Sequence, residues 1–235
     1  MLKVSRFPSG KPEIFKSIQG EGVTSGQPCV FLRLATCNLS CSWCDTKYTW
    51  DWSQYKYQKE VITMTSKEVL NHISEFELPN VVITGGEPLI QQEHLVPLTT
   101  KLKEMKFRCE IETNGTFEPE AQMIDTISQW NVSPKTANSH NTRIKREVKK
   151  ALETFSKLDN AYFKFVVSKL EDVDDVVNLV SAYSIPDNRV ILMPEGTNPN
   201  VIHQKGLWLA EICKTKNLRF TTRLHILMWG NERGK

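Results

Sequence analysis

The chain has 235 residues, 40% of them hydrophobic, and a formal net charge of +3. This length and composition predict one globular domain with a substantial core, spanning residues 1–235. No run approaches the roughly 20 apolar residues that cross a bilayer, and the first residues lack the apolar stretch of a signal peptide. We therefore expect a cytoplasmic protein with no membrane partner. The weak charge bias excludes a strongly basic nucleic-acid binder, and the basic run at 143–150 is interpreted as a solvated helix face.

Short β-branched and apolar runs alternate with stretches of helical periodicity along most of the chain. The pattern predicts six strands, at 29–35, 81–84, 107–113, 130–133, 162–168 and 189–193. Helices are predicted at 65–76, 92–105, 118–129, 142–156, 172–183 and 199–214, the first of them opened by a capping box. Strands that are apolar on both faces belong in a parallel sheet covered by helices. The fold class is therefore α/β, either an incomplete six-unit barrel or an open doubly wound sheet.

Distinctive short motifs follow the carboxyl ends of five predicted strands. They are the cysteine loop at 37–44, Gly85-Gly86-Glu87-Pro88, Glu112-Thr113-Asn114-Gly115, Ser133-Pro134-Lys135 and Met193-Pro194-Glu195-Gly196. Barrels and open α/β sheets place their chemistry at this edge of the sheet. We therefore expect the motifs to share one site.

Three cysteines, Cys37, Cys41 and Cys44, lie close together in the first of these loops. Thiolates with C-x-x-x-C-x-x-C spacing can reach three corners of a 4Fe–4S cluster and leave the fourth iron open to a small chelating molecule. A structural zinc site is the alternative, but zinc normally takes four closed ligands, and neither a His nor a fourth Cys follows at the spacing of a zinc finger. Cys29 lies within the first strand and is expected to pack as a small hydrophobe. The loop predicts an iron–sulfur centre.

The cysteine loop, with Trp43 before its last cysteine, resembles the motif of the radical S-adenosylmethionine (SAM) superfamily. Gly85-Gly86-Glu87 resembles the loop that holds the methionine end of SAM in those enzymes. Within the superfamily, nearly the whole chain is similar to the 7-carboxy-7-deazaguanine synthases of the queuosine pathway. The segments that carry this resemblance are 14–22, 30–33, 44–46, 84–88, 112–115, 133–135 and 225–234. The resemblance implies a partial (βα)6 barrel of the TIM type.

The resemblance also implies a lyase that converts 6-carboxy-5,6,7,8-tetrahydropterin to 7-carboxy-7-deazaguanine with loss of ammonia. The implied cofactors are a 4Fe–4S cluster, SAM and Mg2+, and the implied partners are the pterin substrate and a flavodoxin-like or other low-potential electron donor. Thr46 matches the magnesium contact of the family, and an oxygen ligand beside a substrate carboxylate and waters suits that ion. Because small barrels often hide an uncovered edge by pairing, we also expect a homodimer.

The site residues are carried over position by position from the resemblance. The implied substrate contacts are Ile18, Gln19, Gly20, Arg33 and Thr84, and the implied catalytic residues are Glu21, Arg33 and His225. The positions matched to SAM are Gly86 and Glu87 near its amino group, Glu112 and Asn114 near its ribose, and Met193, Pro194, Glu195 and Gly196 near its adenine. Ser133, Pro134 and Lys135 are also matched to SAM. The segment 221–235 is expected to close the site, while a role for Lys235 stays open because some relatives end earlier.

Several of these residues have a second interpretation. If Arg33 points into the barrel, either a substrate carboxylate or a local acid can satisfy its guanidinium. Gln19 and Glu21 lie in a glycine-flanked loop that either reads a pterin edge or forms a surface turn. His225 is either close to substrate or a satisfied core residue. Glu87 and Glu112 have an alternative role as caps of the helices that follow them.

Two other functions fit parts of the pattern. A glycyl-radical activating enzyme pairs the same cysteine spacing with a compact partial barrel, but it needs an open groove for a protein substrate. A zinc-binding adaptor would use the cysteines without catalysis. Arg33, the loop at 19–21 and a tail that closes the barrel favour a small, anionic, ring-shaped substrate instead.

Overall fold

Ten strands form one sheet in the computed structural model, which describes residues 1–235. They are β1 (Leu2–Ser5), β2 (Ile14–Ile18), β3 (Pro28–Leu34), β4 (Val61–Met64), β5 (Asn80–Gly85), β6 (Arg108–Thr113), β7 (Gln129–Val132), β8 (Ala161–Val167), β9 (Val190–Pro194) and β10 (Arg219–Phe220). The six predicted strands correspond to β3 and β5 through β9. Sequence patterning missed the short strands β1, β2, β4 and β10.

The strand order identifies an incomplete barrel. The parallel strands lie in chain order, β3-β5-β6-β7-β8-β9-β10, whereas β1, β2 and β4 pair antiparallel at the β3 side. A doubly wound sheet reverses its strand order part-way, and this sheet does not. Right-handed crossovers in one direction place all helices on one face and curl the sheet. Side chains of β3 and β9 line one cavity, as a curled sheet requires. The barrel stays open between β10 and β4.

Nine α-helices accompany the strands. They are α1 (Tyr57–Glu60), α2 (Ser66–Ser74), α3 (Gln92–Glu104), α4 (Ala121–Thr126), α5 (Arg143–Arg146), α6 (Lys149–Lys157), α7 (Glu171–Ala182), α8 (Pro199–Lys216) and α9 (Leu224–Trp229). The predicted capping box is present before α2, since Thr65 Oγ1 accepts from Glu68 N at 3.2 Å and Glu68 Oε2 accepts from Thr65 N at 2.7 Å. None of the nine helices combines the length and the hydropathy that a bilayer crossing requires.

Two predicted helices differ from the structure. The single helix at 142–156 is wrong, because the backbone leaves helical geometry at Glu147 and Val148 and separates α5 from α6. The break lets Arg146 turn inward and donate to the Lys135 carbonyl at 3.0 Å. The helix at 118–129 is shorter than predicted, because Gln129 already belongs to β7.

The two faces of the parallel sheet differ, contrary to the expectation of apolar residues on both. Side chains alternate between the faces along each strand. On β3 the outward side chains are Val30, Leu32 and Leu34, and the inward ones are Cys29, Phe31 and Arg33. The outward residues join a core of 34 buried side chains under the helices. Cys29 packs with Phe15, Phe31 and Val82 as a small hydrophobe, as predicted. Above this small cluster the inner face is polar and lines a cavity.

Candidate active site

The cavity opens at the carboxyl ends of the parallel strands, where the sequence motifs were expected to meet. All but three of the predicted site residues line it: Ile18, Gln19, Gly20, Glu21, Arg33, Cys37, Cys41, Cys44, Thr46, Thr84, Gly86, Glu112, Asn114, Ser133, Lys135, Met193, Glu195, Gly196 and His225. The exceptions are Glu87, Pro134 and Pro194. The motifs are therefore brought together, and the three exceptions lie behind the cavity wall.

The three cysteines of the loop face this cavity as free thiols. Burial raises the pKa of the Cys37 thiol to about 12, so this side chain needs a bound cation to remain a thiolate. Each sulfur has a nitrogen donor nearby. The donor–sulfur pairs are Leu39 N with Cys37 Sγ at 3.5 Å, Asn141 Nδ2 with Cys41 Sγ at 3.3 Å, and Trp50 Nε1 with Cys44 Sγ at 3.3 Å. Hydrogen bonds of this kind stabilise the sulfurs of iron–sulfur clusters and tune their potentials.

The donor set fits a cluster better than a zinc ion. No three His, Cys, Asp or Glu side chains are arranged to hold a single metal ion. A structural zinc site requires four such ligands around one point, whereas a cubane takes three thiolates at separate corners. The loop therefore fits a 4Fe–4S cluster with one open iron.

The glycine loop after β5 packs directly against the start of the cysteine loop. A Cβ atom at Gly85 would lie 2.1 Å from the Leu34 carbonyl oxygen, and one at Gly86 would lie 1.9 Å from the Thr36 carbonyl oxygen. The close approach allows Gly86 N to donate to Leu34 O at 3.0 Å. The Gly86 carbonyl accepts no hydrogen bond and lies at the cavity, so it can accept one from an ammonium group such as that of SAM.

Glu87 has the structural role that was its alternative interpretation. Its fully buried carboxylate accepts from Leu89 N at 2.9 Å, from Thr113 Oγ1 at 2.8 Å and from Asn114 N at 2.6 Å. Burial raises the pKa of Glu87 even though these hydrogen bonds favour the ionised form. The side chain caps the turn after β5 and ties it to the end of β6. Only its backbone is left to contact a ligand.

Glu112, in contrast, is not a helix cap. Its carboxylate accepts from Gln19 Nε2 at 3.1 Å and from Thr84 Oγ1 at 2.7 Å, both inside the barrel. The three side chains form a patch of donors and acceptors that we call the polar edge. Two of its members were predicted to bind substrate and the third to bind SAM, and the structure places all three side by side.

The loop at 19–21 enters the barrel and is not a surface turn. Gln19 is 3% exposed, and a Cβ atom at Gly20 would lie 2.0 Å from His225 Nδ1. The Glu21 carboxylate pairs with Lys164 and, at 2.9 Å, with Arg223 Nε. Burial alone would raise the pKa of Glu21, but these two cations outweigh it and hold the pKa far below its usual value. Glu21 is therefore a buried, ionised counterion at the cavity wall.

Arg33 points into the cavity and has a local acid as its partner. Its Nε donates to Glu13 Oε1 at 2.8 Å, whereas its terminal nitrogens Nη1 and Nη2 make no hydrogen bond within the chain. Burial disfavours the charge on Arg33, but Tyr48 and Glu13 outweigh burial and raise its pKa. The guanidinium is anchored through one nitrogen and presents two donors to the cavity.

The segment after β10 lies over the cavity. Arg223 joins several loops, because it pairs with Glu21 and Asp45 and donates to the Gly196 carbonyl at 2.7 Å. Burial lowers the pKa of His225, although Glu21 nearby acts in the opposite direction. Lys235 also lines the cavity. The tail therefore supplies charged and titratable side chains to the site.

The remaining positions matched to SAM lie in the loop after β7 and at the end of β9 and just beyond it, and most of them line the cavity. Lys135 Nζ donates to Ser133 Oγ at 2.8 Å and lies 5.5 Å from the centroid of the Trp43 ring. Glu195 turns toward Lys205, whose Nζ lies 2.5 Å from its carboxylate. Since the Glu195 side chain is already paired, this segment can reach a ligand through its backbone.

Sequence reasoning missed several charged residues of the site. Lys164 pairs with Glu21, and Asp45 pairs with Arg223. Glu13 pairs with Arg33. Lys164 carried a usable signal, because it is a lone charge in the otherwise apolar run of β8. Glu13 carried none, because its partners are distant in sequence.

Comparison with known proteins identifies the family of the chain. The model of the radical SAM superfamily matches residues 33–194. A 7-carboxy-7-deazaguanine synthase from Pyrobaculum aerophilum is 38% identical over 230 residues, covering 95% of this chain and 96% of that protein. A 7-carboxy-7-deazaguanine synthase from Clostridium acetobutylicum is 37% identical, covering 94% of this chain and 97% of that protein. The chain belongs to the 7-carboxy-7-deazaguanine synthase family.

A solved structure supports the same assignment. The fold of this chain matches that of QueE from Escherichia coli with a TM-score of 0.72 and 29% identity, over 95% of this chain and 94% of that one. As a radical SAM enzyme, a 7-carboxy-7-deazaguanine synthase uses a 4Fe–4S cluster and SAM, acts on a small molecule and needs a reductant. In this chain the cysteine loop and the glycine loop line one cavity.

Proposed function

We propose that this chain converts 6-carboxy-5,6,7,8-tetrahydropterin to 7-carboxy-7-deazaguanine with loss of ammonia, for queuosine or another 7-deazapurine. The observation that carries the proposal is the placement of Arg33. Its two free terminal nitrogens face a cavity that also contains the three cysteines and the polar edge. A planar guanidinium with two parallel donors matches a carboxylate.

The cysteines and the glycine loop divide the SAM site between them. Cys37, Cys41 and Cys44 hold the cluster, and the Gly86 carbonyl orients the ammonium group of SAM beside it. When bound there, the cluster would supply the electron for reductive cleavage of SAM. The remaining contribution of the chain is to position the reactants and to exclude water around the radical.

Recognition of the pterin ring falls to the polar edge. Gln19 provides an amide donor and acceptor, Glu112 an acceptor, and Thr84 a hydroxyl, and both Gln19 and Thr84 are hydrogen-bonded to Glu112. A pterin ring also presents alternating donors and acceptors. With the carboxylate at Arg33 and the ring at the polar edge, the carbon that bears the carboxylate is fixed at one place in the cavity.

Glu21 and His225 complete the proposed catalytic set. Glu21 is an ionised carboxylate fixed by Lys164 and Arg223. His225 packs against Gly20 and, because burial lowers its pKa, is neutral and able to accept a proton. Loss of ammonia requires proton transfers, and His225 is placed to accept a proton near the substrate. Glu21, whose pKa is held far below its usual value, contributes a fixed negative charge instead.

Thr46 fits the proposed magnesium site. Its side chain lines the cavity two residues after Cys44, and the hydroxyl lies 3.7 Å from the Cys44 sulfur. Mg2+ commonly takes one protein oxygen, a substrate carboxylate and several waters. One hydroxyl is enough for such a site, and no cage of protein ligands is needed.

Two further partners belong to the proposal. The electron donor is a flavodoxin-like or similar low-potential protein that must reach the cluster loop. The protein is a homodimer, supported by the open barrel edge at β10 and by exposed apolar residues on α9, the helix that follows β10 in the chain, such as Leu227 and Met228.

An anaerobic assay tests the proposed reaction. The reconstituted and reduced protein is incubated with SAM, Mg2+ and 6-carboxytetrahydropterin, and 7-carboxy-7-deazaguanine is measured by mass spectrometry. We expect product with the native chain, none with Cys41→Ala, and a large rise in KM with Arg33→Met. Cleavage of SAM to 5′-deoxyadenosine without any deazaguanine would refute the substrate and leave the radical chemistry intact.

A further inference from the structure

A buried carboxylate is shared between Arg33 and an arginine near the end of the chain. Glu13 has no exposed surface. Its Oε1 accepts from Arg33 Nε at 2.8 Å and from the Tyr48 hydroxyl at 3.0 Å. Its Oε2 accepts from Arg233 Nε at 3.0 Å and from Arg233 Nη2 at 2.8 Å. Each carboxylate oxygen is therefore occupied by two donors, and the two arginines hold opposite oxygens.

Arg233 is held firmly in this position by other groups. Its Nη2 also donates to the Arg6 carbonyl at 2.6 Å, and its Nη1 donates to Glu60 Oε2 at 3.1 Å. The guanidinium carbon lies 3.5 Å from the centroid of the Tyr48 ring, a cation–π contact. These contacts fix the guanidinium against the residue after β1, the end of α1 and the ring of Tyr48, outside the cavity lining.

The occupation of Oε2 determines how Arg33 can bind Glu13. An isolated carboxylate and guanidinium prefer two parallel hydrogen bonds. Here Arg233 already takes both acceptor positions of Oε2, so Arg33 forms a single bond through Nε. Arg33 therefore keeps Nη1 and Nη2 directed at the cavity instead of at Glu13.

The charges lead to the same conclusion. Burial opposes ionisation of Glu13, but Arg33 and Arg233 outweigh it and lower its pKa, so the carboxylate stays charged. Its single negative charge is divided between two guanidinium groups. Glu60 contributes a further negative charge to Arg233, but its side chain is 20% exposed and does not line the cavity. The charge of Arg33 is therefore only partly neutralised before substrate binds.

We propose that Arg233 is a positioning residue that holds Glu13 away from bidentate pairing with Arg33, and so sets the selectivity of the site for a carboxylated ring. This inference rests on the proposed function, in which Arg33 binds the substrate carboxylate. Arg233 contacts neither the substrate nor the cofactor. It acts through Glu13, across 220 positions of sequence.

The test compares two ligands that differ only in the carboxylate. Dissociation constants of pterin-6-carboxylate and of pterin are measured by fluorescence on the cluster-loaded protein with SAM bound. Native protein prefers the carboxylated ligand. In Arg233→Met this preference falls roughly ten-fold, the factor for loss of one charge-assisted hydrogen bond, while the affinity for pterin is unchanged.

Two more variants separate positioning from simple loss of structure. Adding Glu13→Gln to Arg233→Met restores the preference, because a neutral amide with one acceptor oxygen cannot bind Arg33 through two parallel bonds. Arg189→Met is the matched control: Arg189 also donates to backbone carbonyls, Ser156 O at 2.6 Å among them, but it lies outside the cavity, so the preference is kept. If Arg233→Met fails to fold, Arg233→Lys takes its place in the test. Its preference for pterin-6-carboxylate over pterin must be smaller than that of the native protein but still present.

The outcomes distinguish this inference from the proposed function. If native protein binds pterin and pterin-6-carboxylate equally, the proposed substrate is wrong. Suppose that the native protein prefers pterin-6-carboxylate. The positioning role is then wrong if the Arg233 variants keep the full preference, or if their affinities for the two ligands fall by the same factor. The positioning role is established if Arg233→Met reduces the preference and the added Glu13→Gln restores it.

Discussion

Glu21 and Arg223 are 202 positions apart in sequence, yet the Arg223 Nε lies 2.9 Å from the Glu21 carboxylate inside the barrel. Lys164 lies on the other side of the same carboxylate. The contact joins the loop before β3 to the segment after β10, so the beginning and the end of the barrel meet at the cavity. Both charges are almost fully buried, which makes their pairing important for stability.

Replacing Glu21 by Gln should destabilise the protein strongly. The change leaves Lys164 with no carboxylate partner and Arg223 with only Asp45. Removing one partner of a buried ion pair typically costs about 3–5 kcal/mol. Denaturant unfolding of the cluster-loaded protein measures the loss. Glu211→Gln is the control, because its pair with Lys214 is exposed and is worth roughly 0.5 kcal/mol. Equal losses in the two variants would contradict the buried pairing.

His225 should make stability depend on pH near neutrality. Burial lowers its pKa in the folded state, against the effect of Glu21, while the unfolded value is about 6.5. Because the unfolded chain then binds the proton more readily, the stabilisation is present above about pH 6.5 and is lost as pH falls. The free energy of unfolding should decrease as the pH falls below about 6.5, and His225→Gln should flatten that slope. An unchanged slope in the variant would exclude the histidine as its source.

Gly20 should tolerate no side chain. A methyl group there would lie 2.0 Å from His225 Nδ1, so Gly20→Ala must displace the imidazole. We expect kcat/KM to fall at least about ten-fold, as for other misplaced catalytic groups. Gly206→Ala is the matched control, because it lies within α8 and the new methyl would have 3.5 Å to its nearest neighbour. That change should stabilise the protein by about 1 kcal/mol. Full activity in Gly20→Ala would show that the position of His225 does not matter.

Trp50 should raise the reduction potential of the cluster. Its indole N–H lies 3.3 Å from Cys44 Sγ, and such a bond favours the more negative, reduced state. Trp50→Phe should lower the potential by on the order of 40 mV, which corresponds to about 1 kcal/mol for one electron. Redox titration followed by electron paramagnetic resonance measures the shift. Trp52→Phe, an exposed change in the same loop, should leave the potential where it was.

The sequence was sufficient to locate the site but not its internal contacts. The strands β3 and β5 through β9 were predictable because their outward faces are strongly apolar. Since parallel strands end at one edge, the motifs that follow them had to meet there. The polarity of the inner face was missed, because a few charges such as Lys164 are hidden among apolar neighbours in the strand.

Side-chain roles were less predictable than positions. Glu87 follows the glycine pair as a ligand-binding residue would, but its carboxylate caps a turn. Glu112 looked equally able to cap a helix, but it faces the cavity. Glu13 and Arg233 could not be connected at all, because ion pairs across 220 positions depend on the closure of the fold. Local sequence carries no information about such pairs.

Transfer of deuterium tests the central claim most directly. The proposed geometry holds the substrate carboxylate at Arg33. Bound SAM would then supply a 5′-deoxyadenosyl radical for hydrogen abstraction from the carbon that bears the carboxylate, and SAM would be regenerated. With substrate deuterated at that carbon, SAM recovered after turnover should contain deuterium, and 7-carboxy-7-deazaguanine should accumulate. The account would be contradicted if product formed while SAM remained unlabelled. It would also be contradicted if protein with a reconstituted and reduced cluster formed no product.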